Sequence, residues 1–509
     1  MMSRLPLAAR LAALLAAGAA CVAPVPAASA RATTGLRLPG AGGATVRTAA
    51  AERAIVQVGG PAAVPPTSTA EGFLGISTSL STISVLSGPA ADPDTPFIHL
   101  LANLSPGAPF LLRMGGVSAD TSWWPIPGMK MPRYITALTP RWASDLRALL
   151  TALGGKAILG VNLEEGPRLD SSIARAEIAG FNRYVGADLI GAFELGNEPE
   201  FYPLSVVNGG RGHDTFAAYG RLFSQVAAQL GGAPLAGPGV VGTKWLAQLG
   251  TVLRDMRTHL TLATVHAYPM KNCSRLAHLL MSGFFTRAAI RGLADSIRGA
   301  VKAAAAHGVP LRVDELNGIT CGGKAGLSNS FGEALWALNA LPALWHAGVQ
   351  GVNFQTVDGH LNQMITARHS ASGWRVSVEP VYYGLLAFAG VAPAGSRLLR
   401  ISSSTADHLY RFAVRAPDGS ERVVLTNVGA AARTVGVRAA GARGAGSVSL
   451  LSARSLGATR GTTLDGRRVS TRTGQLTGTP RLTRVIPNAT GVYAVRVPAH
   501  AAAILTLAR

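Results

Sequence analysis

The chain has 509 residues, 48% of them hydrophobic, enough to bury a large core and more than a single core usually holds. Lys and Arg outnumber Asp and Glu by 47 to 26, giving a net charge of +21. The basic residues are mostly arginines dispersed along the chain, with no basic block and no aromatic-interleaved tract, which argues against a nucleic-acid partner and reads as a dispersed solvated surface, with attraction to an anionic polysaccharide as a secondary reading.

The chain opens with Arg4 and Arg10, an apolar run from Leu11 to Val25 and a small-residue site at Ala28-Ser29-Ala30. This pattern predicts a cleaved export signal over 1–30. No later stretch is long and apolar enough to span a bilayer, so a secreted or extracytoplasmic chain without a membrane partner is expected. Lipid anchoring at Cys21 is disfavoured because Gly18 stands where a lipobox carries leucine. Residues 31–70, rich in Ala, Gly, Pro and Thr, read as a linker with one strand-like piece, Ala54 to Val58, that packs on a later β-domain.

Over residues 71–390 short apolar runs alternate with longer amphipathic stretches, the pattern of βα units around a parallel sheet. Eight strands are predicted: Phe73 to Ile76, Phe110 to Met114, Ala157 to Val161, Leu189 to Leu195, Leu235 to Pro238, Leu262 to His266, Leu311 to Val313 and Gly351 to Gln355. Helices are expected between them at Pro140 to Leu153, Ser171 to Val185, Asp214 to Leu230, Arg287 to His307 and Ser330 to Ala347. The expected fold is α/β, a (β/α)8 barrel. Over residues 391–509 alternating stretches such as Leu409 to Val414, Arg422 to Thr426 and Val492 to Val497, with hairpin turns at Asp418-Gly419 and Asp465-Gly466, predict an antiparallel β-sandwich.

Once Cys21 leaves with the signal, Cys273 and Cys321 remain. An even pair in an exported chain points to one disulfide, with two free buried thiols as the alternative. No Cys/His spacing of a zinc site occurs, so no metal and no cofactor is expected.

Two carboxylates stand where apolar runs end: Glu198 in Glu-Leu-Gly-Asn-Glu-Pro and Glu315 in Val-Asp-Glu-Leu-Asn, about three βα units apart. In such a barrel both project from C-terminal strand ends into one mouth. Two carboxylates are the equipment for cleaving a glycosidic bond, Glu198 as acid/base and Glu315 as nucleophile. Glu194, on the same face as Glu198 and deeper, reads as a buried partner for a cation. Asp314 should face the helical layer, and Glu164, Glu165 and Glu200 read as solvated. Tyr268 is placed to donate to Glu315 and orient it, and Arg113 reads either as a stabiliser of the Glu315 charge or as a buried structural ion-pair partner. His266 lies two residues deeper than Tyr268 and reads equally well as a satisfied core histidine. Trp123 and Trp124 read either as a sugar platform or as a barrel cap.

The strings Leu112-Arg-Met-Gly-Gly-Val-Ser-Ala-Asp120, Phe193-Glu-Leu-Gly-Asn-Glu-Pro199, Thr264-Val-His-Ala-Tyr-Pro269, Val313-Asp-Glu-Leu-Asn317 and Pro380-Val-Tyr-Tyr-Gly-Leu-Leu386, in this order, resemble glycoside hydrolase family 79. That family includes bacterial β-glucuronidases and is related to heparanase, in a clan of retaining barrel glycosidases. The resemblance implies the same roles for Glu198 and Glu315, contact of Asn197 with the sugar 2-hydroxyl, and acceptance of sugar hydroxyl hydrogen bonds by Asp120. A uronate needs donors at its carboxylate; Lys324 and the backbone N–H groups of the glycine-rich loop 319–326 offer them. The residues Asn353 to His360 depart from the clan's pattern after the last strand.

The expected activity is that of an exported retaining exo-β-glucuronidase. The rivals are an endo-acting heparanase-like or neutral-sugar glycosidase, and a non-catalytic carbohydrate-binding protein. A carbohydrate containing uronic acid is the expected partner.

Overall fold

The computed structural model describes residues 55–61, 68–163, 171–204, 215–256, 259–274, 276–404, 408–440, 442 and 444–508. The expected export signal, Cys21, Glu164 and Glu165 lie outside the described residues.

After a first strand, β1 (Ile55–Pro61), come eight barrel strands: β2 (Leu74–Ser79), β3 (Leu111–Gly115), β4 (Lys156–Val161), β5 (Ile190–Leu195), β6 (Leu235–Val240), β7 (Leu260–Ala267), β8 (Leu311–Leu316) and β9 (Gly351–Gln355). They form a closed barrel in the order β8-β9-β2-β3-β4-β5-β6-β7, with every pairing parallel. All eight predicted strands are present. In β7 the period of two places Ala263, Val265 and Ala267 in the apolar core beneath the helices, while His266 faces the interior.

A helix follows each barrel strand: α1 (Thr95–Leu104), α2 (Pro140–Leu153), α3 (Ser172–Phe181), α4 (Phe216–Ala227), α5 (Leu249–Met256), α6 (Leu293–Ala306), α7 (Phe331–His346) and α8 (Pro380–Val391). Helix α2 has the bounds read from the sequence because its ends are encoded locally. Thr139 Oγ1 accepts from Trp142 N, Pro140 occupies the first turn, and Gly154 ends the helix in the left-handed region at φ 55°. The predicted helix from Ser171 to Val185 ends in a π turn, Asn182–Gly186, and that from Arg287 to His307 begins with another, Ala288–Gly292.

Towards the N-terminal strand ends a polar plug fills the barrel. Arg312 Nε donates to Asn353 Oδ1 at 2.5 Å, and Asn353 Nδ2 donates to the Ile76 and Leu111 carbonyls. Gly75 is required here, since a Cβ would come within 2.0 Å of Leu111 O.

The second sheet holds ten strands among the described residues. Its main strands are β10 (Arg397–Ser403), β11 (Leu409–Arg415), β12 (Glu421–Asn427), β13 (Arg433–Ala439), β14 (Gly446–Ser452), β15 (Val492–Val497) and β16 (Ala501–Leu507). The order is β14-β16-β12-β11-β10-β1-β13-β15, antiparallel except where β1 meets β13. Val56, Val58, Val437 and Val495 pack with Ala413, Val423, Leu425 and Leu505 in one core, so the two halves of the sheet face each other as a sandwich. The intervening Val424, with Phe412 and Ile504, joins the barrel's core instead. Burial on both faces explains why Val423-Val424-Leu425 is continuously apolar.

Candidate active site

Arg113, on β3, organises the mouth of the barrel. Its Nε and Nη2 donate to Glu194 Oε2 at 2.8 and 2.6 Å, and its Nη1 donates to Glu315 Oε2 at 2.7 Å and to Ser77 Oγ at 3.1 Å. Nη2 also reaches Asn197 Oδ1 and His266 Nε2, each at 3.2 Å. One fully buried guanidinium thus gathers residues of β2, β3, β5, β7 and β8 and of the segment after β5. Its fixed fork suits this multiple role, which a point charge would not fill. Glu194 is the cation's buried partner, as the sequence predicts. Burial alone would raise its carboxyl, but Arg113, the hydrogen bond with Asp314, His266 and Thr264 together outweigh that and hold it at about 2.

Tyr268 donates its hydroxyl to Glu315 Oε1 at 2.5 Å, so both carboxylate oxygens of Glu315 are held from opposite sides. Burial pushes Glu315 up, but His266, Arg113 and the Tyr268 hydrogen bond bring it below the usual glutamate range. Glu198 Oε1 lies 2.8 Å from His266 Nδ1, and that nitrogen is 3.8 Å from Glu315 Oε1. Burial would lower the His266 pKa; Glu315 and the hydrogen bond to Glu198 reverse this and hold it at about 10, while Arg113 opposes the charge. Donor atoms of Glu198, His266 and Glu315 all lie within 4.8 Å of one another. Glu198 keeps 22% of its side chain exposed against 7% for Glu315, so the first is the more open to the barrel mouth. The Glu198 backbone adopts φ 42°, with its N–H bonded to the Gly239 carbonyl at 3.0 Å. A non-glycine residue in the left-handed region is a local strain that the surrounding turn holds in place.

Asp314 differs from expectation. A bulge in β8 opposes Asp314 and Glu315 together to His266 on β7, so both acids face inward. Asp314 is fully buried, 3.7 Å from Arg113 Nε and 3.8 Å from His266 Nε2. Burial, then the charge of Glu194, pushes its carboxyl well above the usual range. The Glu194–Asp314 pair therefore holds one proton beneath the Glu198–Glu315 pair. The sets Glu194, His266, Asp314 and Glu198, His266, Glu315 each have the donor atoms for a cation. Arg113 stands against carboxylates of both sets and supplies the positive charge there.

Asn197 and Asp120 are buried beside this cluster; Tyr202 accepts from Asn197 N at 3.0 Å and reaches Asp120 Oδ1 at 3.5 Å. Glu200, expected in solvent, instead accepts from the Val241 and Gly242 N–H groups, both at 2.7 Å. Trp124 stacks on Tyr184 at 5.2 Å near the end of α3, and Trp123 is buried, which corrects the sugar-platform reading in favour of packing. Gln355, at the end of β9, escaped the sequence reading. It lies 3.1 Å from the Tyr268 hydroxyl, accepts from Asn362 Nδ2 and receives Asn317 Nδ2 on its carbonyl. The signal was its position at a C-terminal strand end, in the segment that departs from the clan's pattern.

Cys273 and Cys321 form a disulfide with a Cα–Cα distance of 5.2 Å. It joins the loops after β7 and β8, which also pair at Met270 and Ile319 and through Asn272 Nδ2 to the Gly323 carbonyl. Lys324 is exposed on the second loop, outside the carboxylate cluster; its N–H is satisfied by Ser328 Oγ.

No protein-family model matches the chain, and no curated protein matches it significantly. Among solved structures it is similar to a 4-O-α-L-rhamnosyl-β-D-glucuronidase from Fusarium oxysporum 12S, with TM-score 0.69 and 18% identity over 89% of this chain and 100% of that one. It is also similar to a GH51 arabinofuranosidase from Xanthomonas axonopodis pv. citri (TM-score 0.58, 16% identity, 90% and 100% covered) and a GH30 endoxylanase from Clostridium papyrosolvens C71 (0.51, 12%, 90% and 100%). The barrel with its appended β-sandwich is shared with these proteins.

Proposed function

We propose that this chain is a retaining exo-β-glucuronidase that releases terminal β-linked glucuronic acid from glycosides or glycans. The observation that carries the reading is the approach of Glu198 and Glu315 to within 4.8 Å. Retaining glycosidases hold their carboxyl groups about 5 to 5.5 Å apart, whereas inverting ones need about 6.5 to 9.5 Å to admit a water.

Glu198 protonates the glycosidic oxygen as Glu315 attacks the anomeric carbon, so the bond to the leaving group breaks while a glycosyl ester forms. Glu198, now ionised, takes a proton from water; the water oxygen bonds to the anomeric carbon, and Glu315 departs as carboxylate. Arg113 and Tyr268 keep Glu315 ionised and aimed, and Asn197 and Asp120 meet sugar hydroxyls. The choice of a uronate is supported by the motif resemblance, by the glucuronidase named among the structural neighbours and by Lys324 on the loop beside the nucleophile. Export is supported by the terminal signal pattern and the disulfide. In this reading 1–30 direct export, 31–70 link to the β-domain, 71–390 form the catalytic unit and 391–509 the sandwich.

The test is hydrolysis of paired p-nitrophenyl β-glucuronide and β-glucoside by the wild-type chain and by Glu315→Gln. Cleavage of the glucuronide alone, abolished in the variant, is the expected result. Preference for the glucoside removes the uronate assignment, and silence on both transfers weight to an endo-acting enzyme or a binding protein.

A further inference from the structure

Away from the barrel mouth, a groove of about 1400 Å³ runs between α6 and α7 on one side and β10 and β11 on the other. Among the described residues, Arg287, Arg291, Arg298, Arg400 and Arg411 line it against one acid, Asp295, whose partner is Arg298 at 3.1 Å. Arg287, Arg291 and Arg400 are exposed and, among the described residues, make no ion pair or side-chain hydrogen bond. We propose that this groove is a second binding site, for an acidic polysaccharide chain bearing carboxylate or sulfate groups.

The five guanidinium groups come from two separate parts of the chain, Arg287 to Arg298 and Arg400 to Arg411, and the packing of the β-domain against the barrel brings them together. Their crowding is felt locally. Burial and then the charge of Arg291 lower the Arg411 pKa, and burial, Arg298 and Arg291 lower that of His346. Like charges held together in a concave surface are relieved by a bound polyanion. Guanidinium forks pair with carboxylate and sulfate oxygens in a plane, a geometry that ammonium groups do not offer. The floor between them is apolar, from Ile290, Leu399 and Phe412, and suits the C–H faces of pyranose rings better than a phosphate backbone. None of the lining residues belongs to the carboxylate cluster, so the groove binds polymer apart from the cleft that cuts it.

The preference for a polyuronate among acidic glycans rests on the proposed glucuronidase function; the groove itself does not. Binding is measured by fluorescence anisotropy with labelled hyaluronan oligosaccharides, in a Glu315→Gln background that prevents cleavage, with dextran as a neutral control. R287E/R291E/R400E is the main variant, and R287S/R291S/R400S the milder one should the first fail to fold. Either variant should weaken hyaluronan binding at least tenfold, while in the catalytically intact background kcat/KM for p-nitrophenyl β-glucuronide stays unchanged. Equal hyaluronan affinity in wild type and a folded variant would overturn the proposal. So would tighter binding of a DNA duplex than of hyaluronan, lost in the variants, which would make the groove a nucleic-acid site. A wild-type chain that cleaves no glucuronide yet binds hyaluronan through these arginines upholds the groove and removes the catalytic reading instead.

Discussion

Glu198 Oε1 lies 2.8 Å from Nδ1 of the fully buried His266, so the proposed proton donor is tethered to an imidazole that also stands 3.8 Å from Glu315. Against the effect of burial, Glu315 and the hydrogen bond to Glu198 hold this imidazole's pKa up at about 10, and the imidazole in turn lowers that of Glu315. His266→Gln removes that influence, which raises the Glu315 pKa. The acid limb of kcat/KM for an aryl glucuronide should move up by about one pH unit. An unmoved limb would show that His266 acts by packing alone.

Tyr268→Phe deletes one hydrogen bond to Glu315 and leaves the ring. A hydrogen bond to a charged group contributes about 1.5 to 3 kcal/mol, so kcat/KM should fall roughly 10- to 100-fold with the melting temperature little changed. Because Tyr268 holds Glu315 down, the acid limb should again move to higher pH. A loss in stability matching the loss in rate would instead mark Tyr268 as structural.

Glu333, on α7, accepts from Gly318 N at 3.0 Å just beyond β8, and burial raises its carboxyl to about 8 despite that bond. The folded chain keeps a proton that the unfolded chain releases above about 4.5, so this residue's contribution to stability is present at low pH and is lost as pH rises from there to 8. Glu333→Gln keeps an acceptor and cannot ionise. Relative to the variant, wild type should lose up to about 1.4 kcal/mol per pH unit across that window in denaturant titrations. Parallel pH profiles for the two would refute the assignment.

The disulfide spans a sequence separation of 48 residues, for which loop-closure entropy gives about 4 kcal/mol. Cys273→Ser/Cys321→Ser should lower the unfolding midpoint accordingly. If the bridged loops present Lys324 to a uronate, KM for the glucuronide should also rise more than KM for the glucoside, and Lys324→Ala should repeat that split without the loss of stability. Equal losses on both sugars would take the loop out of uronate recognition.

Much of this architecture is written locally in the chain. The eight barrel strands are legible because each is an apolar run between amphipathic segments, and α2 because Thr139, Pro140 and Gly154 mark its ends. Glu198, Glu315 and Tyr268 are legible as candidates from their place at strand ends and Arg113 from its place on a barrel strand, and the structure brings the four together. Asp314 is misread because strict alternation places it outward, and a bulge is a property of two strands in register, invisible in one. Glu200 is misread because its partners are backbone N–H groups of the turn after β6. Trp124 carries no mark that tells a sugar-stacking ring from one stacked on Tyr184.

Strand β1 also sets an order of events during synthesis. Its Ile55 N–H meets the Ser404 hydroxyl across 349 residues, and its register runs along β10 on one side and β13 on the other. Strand β1 must wait, with both edges unsatisfied, until the entire barrel has emerged and β10 can pair with it, and its second edge stays open until β13, three strands later, follows. The sandwich then fastens the start of the chain to its last quarter, so a nascent or clipped chain lacking that quarter carries an open strand edge that invites pairing with another copy.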